Sequence, residues 1–201
     1  MEIEPLAVDG AWLIRPTQWP DDRGALLEWY RPDLLARRIG HEPVIAQANL
    51  VVSRAGVIRG IHFADVPPGQ AKYVTCVSGS VLDVVVDVRV GSPTFGQHVA
   101  VPLDDVGRHA VYLAEGLGHA VCALSPDATV TYLCSTGYRP GAEHTVHPLD
   151  PDIGVRWPAG ELVLSDRDAA APSLAEAAEK GLLPSWEACR EWSRSIAFTS
   201  S

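Results

Sequence analysis

The stretch SVLDVVVDVRV, residues 80–90, alternates with the period of two that belongs to a β-strand. It sets Leu82, Val84, Val86, Val88 and Val90 on one face and Asp83, Asp87 and Arg89 on the other. The apolar face is predicted to be core, and the polar face to meet water or a site.

Outward from this run the same texture continues. Short Val-rich segments recur between the chain's 16 Pro and 17 Gly, the punctuation of an all-β chain, a sandwich or barrel of many strands. Further strands are predicted from Ala11 to Pro16, Ala25 to Tyr30, Val44 to Val52, Val99 to Leu103, Ala110 to Leu113 and Val130 to Cys134. In the last of these Tyr132 faces opposite to Thr131 and Leu133. The segment Pro20-Asp21-Asp22-Arg23-Gly24 reads as a turn, and Glu115-Gly116-Leu117-Gly118 as a loop that delivers His119.

Helices are few. Pro32 to Ile39 has Pro in its first turn and Gly40 just beyond its end. After Trp157-Pro158 the composition shifts: Ser173-Leu174-Ala175-Glu176 is a capping box for a helix that stops near Gly181, and Ser185 caps another that carries Trp186 and Trp192. With no repeat or low-complexity linker, a single domain over 1–201 is expected, its core about 1–172 and its helical tail about 173–201.

Composition narrows the partners. A hydrophobic content of 47% over 201 residues is enough for a sizeable core. No window has the eighteen uninterrupted apolar residues of a membrane span, and MEIEPLAVDG lacks the basic and apolar regions of a signal peptide, so a cytoplasmic protein without a membrane partner is expected. Cys76, Cys122, Cys134 and Cys189 show no paired spacing and read as reduced, buried small residues. A formal net charge of -9 argues against nucleic acid. Any anionic ligand must be small and held by local cations.

Those cations gather upstream of the alternating run, in RGIHFADVPPGQAK, Arg59 to Lys72. An extended stretch through Ile61 and Phe63 breaks at Pro67-Pro68-Gly69 and resumes through Lys72, Tyr73 and Val74, which reads as a hairpin. A guanidinium, an imidazole and an ammonium beside a rigid turn point to an anionic ligand that undergoes proton chemistry. The bland alternatives are a surface hairpin with ordinary charges, and for His62 a hydrogen-bonded core histidine. His41, His98, His109, His144 and His147 sit among polar neighbours and read as solvated.

His62 and Asp65 fall short of the His-x-His, carboxylate and later His of a metal-binding barrel, so neither a metal nor another cofactor is expected. His62, Lys72 and Tyr132 nevertheless make a usable set. Removing a proton beside a ketone needs a base of near-neutral pKa, the enolate oxygen needs a cationic donor, and inversion needs an acid on the far face. Arg59 and His62 can serve one ligand only if the strand bends or bulges between them, and Gly60 is where that could happen.

Taken together, Arg59-Gly60-Ile61-His62-Phe63, Pro67-Pro68-Gly69-Gln70-Ala71-Lys72, residues 82–89, Ser92-Pro93-Thr94-Phe95-Gly96, Glu115-Gly116 with His119, and Leu164-Ser165-Asp166-Arg167-Asp168 resemble the dTDP-4-dehydrorhamnose 3,5-epimerase family. The resemblance implies a cupin-type jelly roll, a homodimer, no metal, and epimerisation of a dTDP-linked 4-keto-6-deoxyhexose through enolates. It makes His62 the base, Asp168 the carboxylate that orients it, Lys72 the group at the keto oxygen and Tyr132 the opposing acid. By the same resemblance His119, with Asp83 as its partner, contacts the sugar, Arg23 and Arg59 the diphosphate, and Glu28, Gln47, Asn49 and Tyr138 the nucleoside.

The chain also departs from the pattern. Ala25-Leu26-Leu27 stands where many members have phenylalanines, Ala48-Asn49-Leu50-Val51 stands for Asp-Asn-His-Ser, and the tail is similar to variants from antibiotic deoxysugar pathways. Inversion at C3 alone, a 3,4-ketoisomerase of the same sugar class, a non-catalytic sugar-nucleotide-binding module and a metal-dependent oxygenase are the competing expectations.

Overall fold

The computed structural model describes residues 1–198, so the end of the expected tail, 199–201, lies outside the described residues. In chain order the elements are β1 (Glu2–Pro5), β2 (Ala11–Arg15), β3 (Gln18–Asp21), β4 (Gly24–Leu27), α1 (Pro32–Ile39), β5 (Gln47–Arg54), β6 (Ile58–Ala64), β7 (Lys72–Ser78), β8 (Ser80–Val86), β9 (His98–Asp104), β10 (Ala110–Leu113), β11 (Gly118–Ala123), β12 (Asp127–Cys134), β13 (Glu143–Thr145), α2 (Asp166–Ala169), α3 (Leu174–Glu179) and α4 (Trp186–Ile196).

Two antiparallel sheets carry the molecule, one ordered β1-β2-β10-β7-β12-β5 and the other β13-β6-β11-β8-β9. Within them β5-β12-β7-β10 faces β6-β11-β8-β9, the strand order of a jelly roll, as the resemblance implied. The short pair β3 and β4 joins neither.

The alternating run explains the layering. Val81 and Val85 of β8 point between the sheets, where they pack with Val74, Cys76, Val111 and Val130. On the other side Val84 and Val86 lie beneath Ile153, Leu174 and Ala177, so the second sheet is covered outside as well. Burying each such side chain contributes about 1.5–3 kcal/mol. The strand ends at Val86, earlier than its periodicity predicts, and Val90 is exposed rather than core.

The polar face of that run meets neither water nor one common site. Asp83 and Asp87 are fully buried, and Arg89 nearly so. The Asp87 carboxylate accepts from Arg89 Nε and Nη2 at 2.8 Å and from the hydroxyls of Ser92 and Thr94. These bonds outweigh a burial that raises its pKa, and leave the carboxyl below its ordinary value.

The segment from Arg59 to Lys72 is not a hairpin. Its first strand, β6, lies in the second sheet and its second, β7, in the first. The connection crosses between layers, where two prolines supply no N–H for a ladder. The turn at Glu115-Gly116 does deliver His119, which stands second in β11, with Gly118 already part of the strand.

The helices follow their signals. α1 spans Pro32–Ile39 and ends on Gly40 at φ 83°, α3 opens on the Ser173–Glu176 capping box, and Ser185 caps α4. Predicted strands shift at their ends: Gly24–Leu27 for the second, and Gln47–Arg54 for the one placed from Val44. All four cysteines are free and buried. His41, expected at the surface, is 8% exposed, because the chain after α1 folds back under α4. Among the described residues no helix is long and apolar enough to cross a membrane.

Candidate active site

A cleft of about 480 Å³ opens between the two sheets. Arg59 and His62 of β6 and His119 of β11 reach it from one sheet, and Lys72 of β7 and Tyr132 of β12 from the other.

A bulge brings Arg59 and His62 to the same side. β11 runs regularly from His119 to Val121, two residues that share a face, while their partners on β6 are His62 and Arg59, three apart. The extra residue is absorbed at Gly60, whose φ is 121° and where a Cβ would run into the His119 carbonyl oxygen. Arg59 is then held by bonds from Nε to Ser53 Oγ at 2.9 Å and from Nη2 to the Val52 carbonyl at 3.2 Å.

His62 Nε2 lies 2.8 Å from Asp168 Oδ1. Asp168 is the third residue of α2, is 3% exposed, and is fixed by its own N–H donating to Ser165 Oγ, the helix N-cap; the Gly60 N–H donates to its Oδ2 at 3.4 Å. Burial pushes this carboxyl up, but the His62 contact and the other bonds prevail and hold it below the ordinary carboxylate value. With Nε2 so engaged, Nδ1 is the ring nitrogen left for a guest.

Across the cleft, Lys72 and Cys134 are paired neighbours, as are Val74 and Tyr132, so Lys72 and Tyr132 are diagonal on one inward face. Burial lowers the Lys72 pKa, opposed by Cys134, Glu143 and Asp83. Burial, with Cys134 and Glu143, raises that of Tyr132 and keeps its phenol protonated. His119 Nε2 bonds Asp83 Oδ2 at 2.8 Å, and Asp83 Oδ1 is buried with no partner among the described residues.

The remaining expected site residues divide. Gln47 and Asn49 share the inward face of β5, linked by Gln47 Nε2 to Asn49 Oδ1 at 2.8 Å, and the Tyr138 N–H donates to Gln47 Oε1 at 2.8 Å. Asn49 is the cross-strand partner of Tyr132, which places this group at the rim. Arg23 and Glu28 are not brought to the cleft. Arg23 lies exposed on the β3–β4 turn, paired to Asp21 at 2.5 Å, and Glu28 pairs with Arg31 at 3.0 Å.

Sequence reasoning passed over two residues. Arg167 lines the cleft beside Asp168, and its position within the quoted Asp166-Arg167-Asp168 run could have flagged it. Glu143 of β13 acts electrostatically on both Lys72 and Tyr132, and nothing local marks it. Among the described residues no three His, Cys, Asp or Glu side chains are grouped to hold a metal ion.

Comparison with known proteins meets this geometry. The model of the family described as dTDP-4-dehydrorhamnose 3,5-epimerase matches residues 5–176. The chain is 56% identical over 190 residues to a dTDP-4-dehydrorhamnose 3-epimerase of Streptomyces niveus, covering 94% of this chain and 92% of that one. It is 56% identical over 191 residues to a dTDP-4-dehydrorhamnose 3,5-epimerase of Mycolicibacterium smegmatis, covering 94% of each. It superposes with a TM-score of 0.94, at 50% identity and over 96% of this chain and 98% of the other, on ChmJ, a 3'-monoepimerase from Streptomyces bikiniensis in complex with dTDP-quinovose. With a matching model over most of its length and relatives above half identity, the chain belongs to the dTDP-4-dehydrorhamnose 3,5-epimerase family.

Proposed function

We propose that this protein epimerises a dTDP-linked 4-keto-6-deoxyhexose, with His62 as base and Tyr132 as acid. The observation that carries the reading is their placement on opposite walls of one cleft. His62 Nδ1 takes the proton from the carbon beside the ketone, and the electron pair moves onto the carbonyl oxygen. Lys72 meets that enolate oxygen, a kind of contact worth roughly 3–4 kcal/mol in comparable oxyanion sites. Tyr132 O–H then returns a proton to the other face. His62 loses its proton to water and Tyr132 regains one, so no oxidant or cofactor takes part.

Asp168 holds the imidazole in one tautomer. Arg59 grips the diphosphate, His119 with Asp83 the sugar, and Gln47, Asn49 and Tyr138 the nucleoside. C3 is the centre that the Streptomyces niveus and Mycolicibacterium smegmatis relatives share in their names.

Incubation with dTDP-4-keto-6-deoxyglucose in D₂O, with and without a chelator, tests the reading. Deuterium should enter at C3 with inversion in both samples, and the C5 signal reports whether a second centre reacts. Absence of exchange leaves only a binding module; activity that chelation removes and a divalent ion restores reverses the metal-free mechanism.

The chain also works, in this reading, as one cytoplasmic domain in a homodimer. Leu50 and Val52 on the outer face of β5 are 65% and 57% exposed, and Val77 of β7, beyond β12 in the same sheet, is exposed as well. The β3–β4 pair belongs to neither sheet, yet carries the exposed Trp19 and Leu26, and such a ribbon is marginal alone. A second copy seated on this face covers both. It also gives Arg23 and Glu28 a route to a cleft, that of the neighbouring copy.

A further inference from the structure

A second cleft, of about 350 Å³, lies between α1, α4 and strands β2 and β10 of the first sheet, and shares no lining residue with the first. Arg190 and Arg194, four apart and therefore on one face of α4, line it together with Arg38 of α1. Arginine ion pairs among the described residues run through Arg15, Arg23, Arg31 and Arg89; these three guanidiniums enter none of them. Unpaired cations concentrated in one place stand out in a chain of formal net charge -9.

The floor supplies the independent observation. Tyr112 is 4% exposed, lines this cleft, and its hydroxyl has no hydrogen-bond partner among the described residues. A buried donor left without an acceptor is unfavourable, and a ligand oxygen would satisfy it. His41 lies beside it. The acidic groups facing the cleft are Asp9 and Glu115, and burial pushes the Glu115 carboxyl above its ordinary value. Arg89 at the back is already neutralised by Asp87.

Arg38 and Arg194 stand in the last turns of their helices, where a cation offsets the helix dipole. That accounts for their place on each helix. It does not account for two helices presenting them, with Arg190, to one cleft above an unbonded hydroxyl. The family model ends at residue 176, and α4 begins at Trp186, so the α4 wall of this cleft, with two of its three free arginines, is built from chain outside the matched segment.

We propose that the α1/α4 cleft is a second anion site, which takes a phosphate-bearing small molecule. Planar guanidiniums match phosphate oxygens in pairs, the phenol adds a neutral donor, and the volume falls in the range of small-ligand pockets.

Calorimetric titration of the full chain with inorganic pyrophosphate at low salt tests this. Wild type should show two binding events. Arg190→Gln/Arg194→Gln should weaken one of them at least about tenfold and leave the other, while Arg59→Gln should do the reverse. Arg38→Gln, on a different helix, should weaken the same event as the α4 pair. Turnover of the sugar nucleotide without added anion should stay at the wild-type level in the α4 variant. An unchanged titration in folded Arg190→Gln/Arg194→Gln or in Arg38→Gln, or a wild type with only the event that Arg59→Gln removes, overturns the site. The Arg59 arm bears on the catalytic cleft alone, so failure of either assignment is visible separately.

Discussion

His62 Nε2 and Asp168 Oδ1 stand 2.8 Å apart across a separation of 106 residues, one on β6 and the other in the first turn of α2. Asp168→Asn keeps the shape and removes the charge that favours a protonated Nε2. Turnover is expected to fall about 10²- to 10⁴-fold, the usual contribution of a positioned base, with circular dichroism unchanged. Turnover within twofold of wild type would sink the pair.

Tyr132→Phe separates deprotonation from inversion. The base and Lys72 remain, so deuterium from D₂O should still enter from the His62 side with configuration retained, while inverted product falls steeply. NMR of the ring protons reads both. Undiminished inversion at every centre would assign the acid to another group or to solvent.

Arg59→Lys tests the diphosphate contact. Lysine cannot bond Ser53 Oγ and the Val52 carbonyl and still offer a two-pronged face to phosphate. KM should rise about tenfold with kcat nearly kept. Equal use of the free keto sugar and its nucleotide form would remove the assignment.

Asp87→Asn is a stability experiment. The substitution strands the buried Arg89 guanidinium, a loss on the order of 3–5 kcal/mol by urea unfolding. The folded pKa of Asp87 is depressed, so its contribution is complete above the ordinary carboxylate value of about 4 and disappears as pH falls below it. The gap between wild type and variant should therefore narrow in acid. A gap that does not change from pH 7 to pH 3 would contradict this.

Leu50→Glu with Val52→Glu places charge on the exposed face of β5. Sedimentation should show the dimer replaced by monomer, and turnover should drop with it. A dimer that persists locates the interface elsewhere.

Much of this was legible in the residues. The alternating run did form a strand of the inner layer, the capping box opened its helix, and Gly60 was the right place to look for the kink that unites Arg59 and His62. What escaped was pairing. A strand, a Pro-Pro-Gly break and a second strand have the same local pattern whether the two strands pair or join different sheets, and only the partners β11 and β12 decide. His41 escaped for a related reason: Gly40 and Glu42 are polar-site neighbours in sequence, while the burial comes from a helix some 150 residues later. Arg23 and Glu28 matched a family pattern, but one chain offers them no path to its own cleft.

The separation of β6 from β7 and β12 has a stereochemical meaning. In the proposed mechanism a flat guest held between the sheets presents one side to the His62 imidazole and the other to the Tyr132 phenol. Had the Pro-Pro-Gly segment closed a hairpin, His62 and Lys72 would share a wall. In the proposed mechanism the handedness of the product thus depends on which layer each strand joins, and a feature usually counted as topology becomes a determinant of chirality.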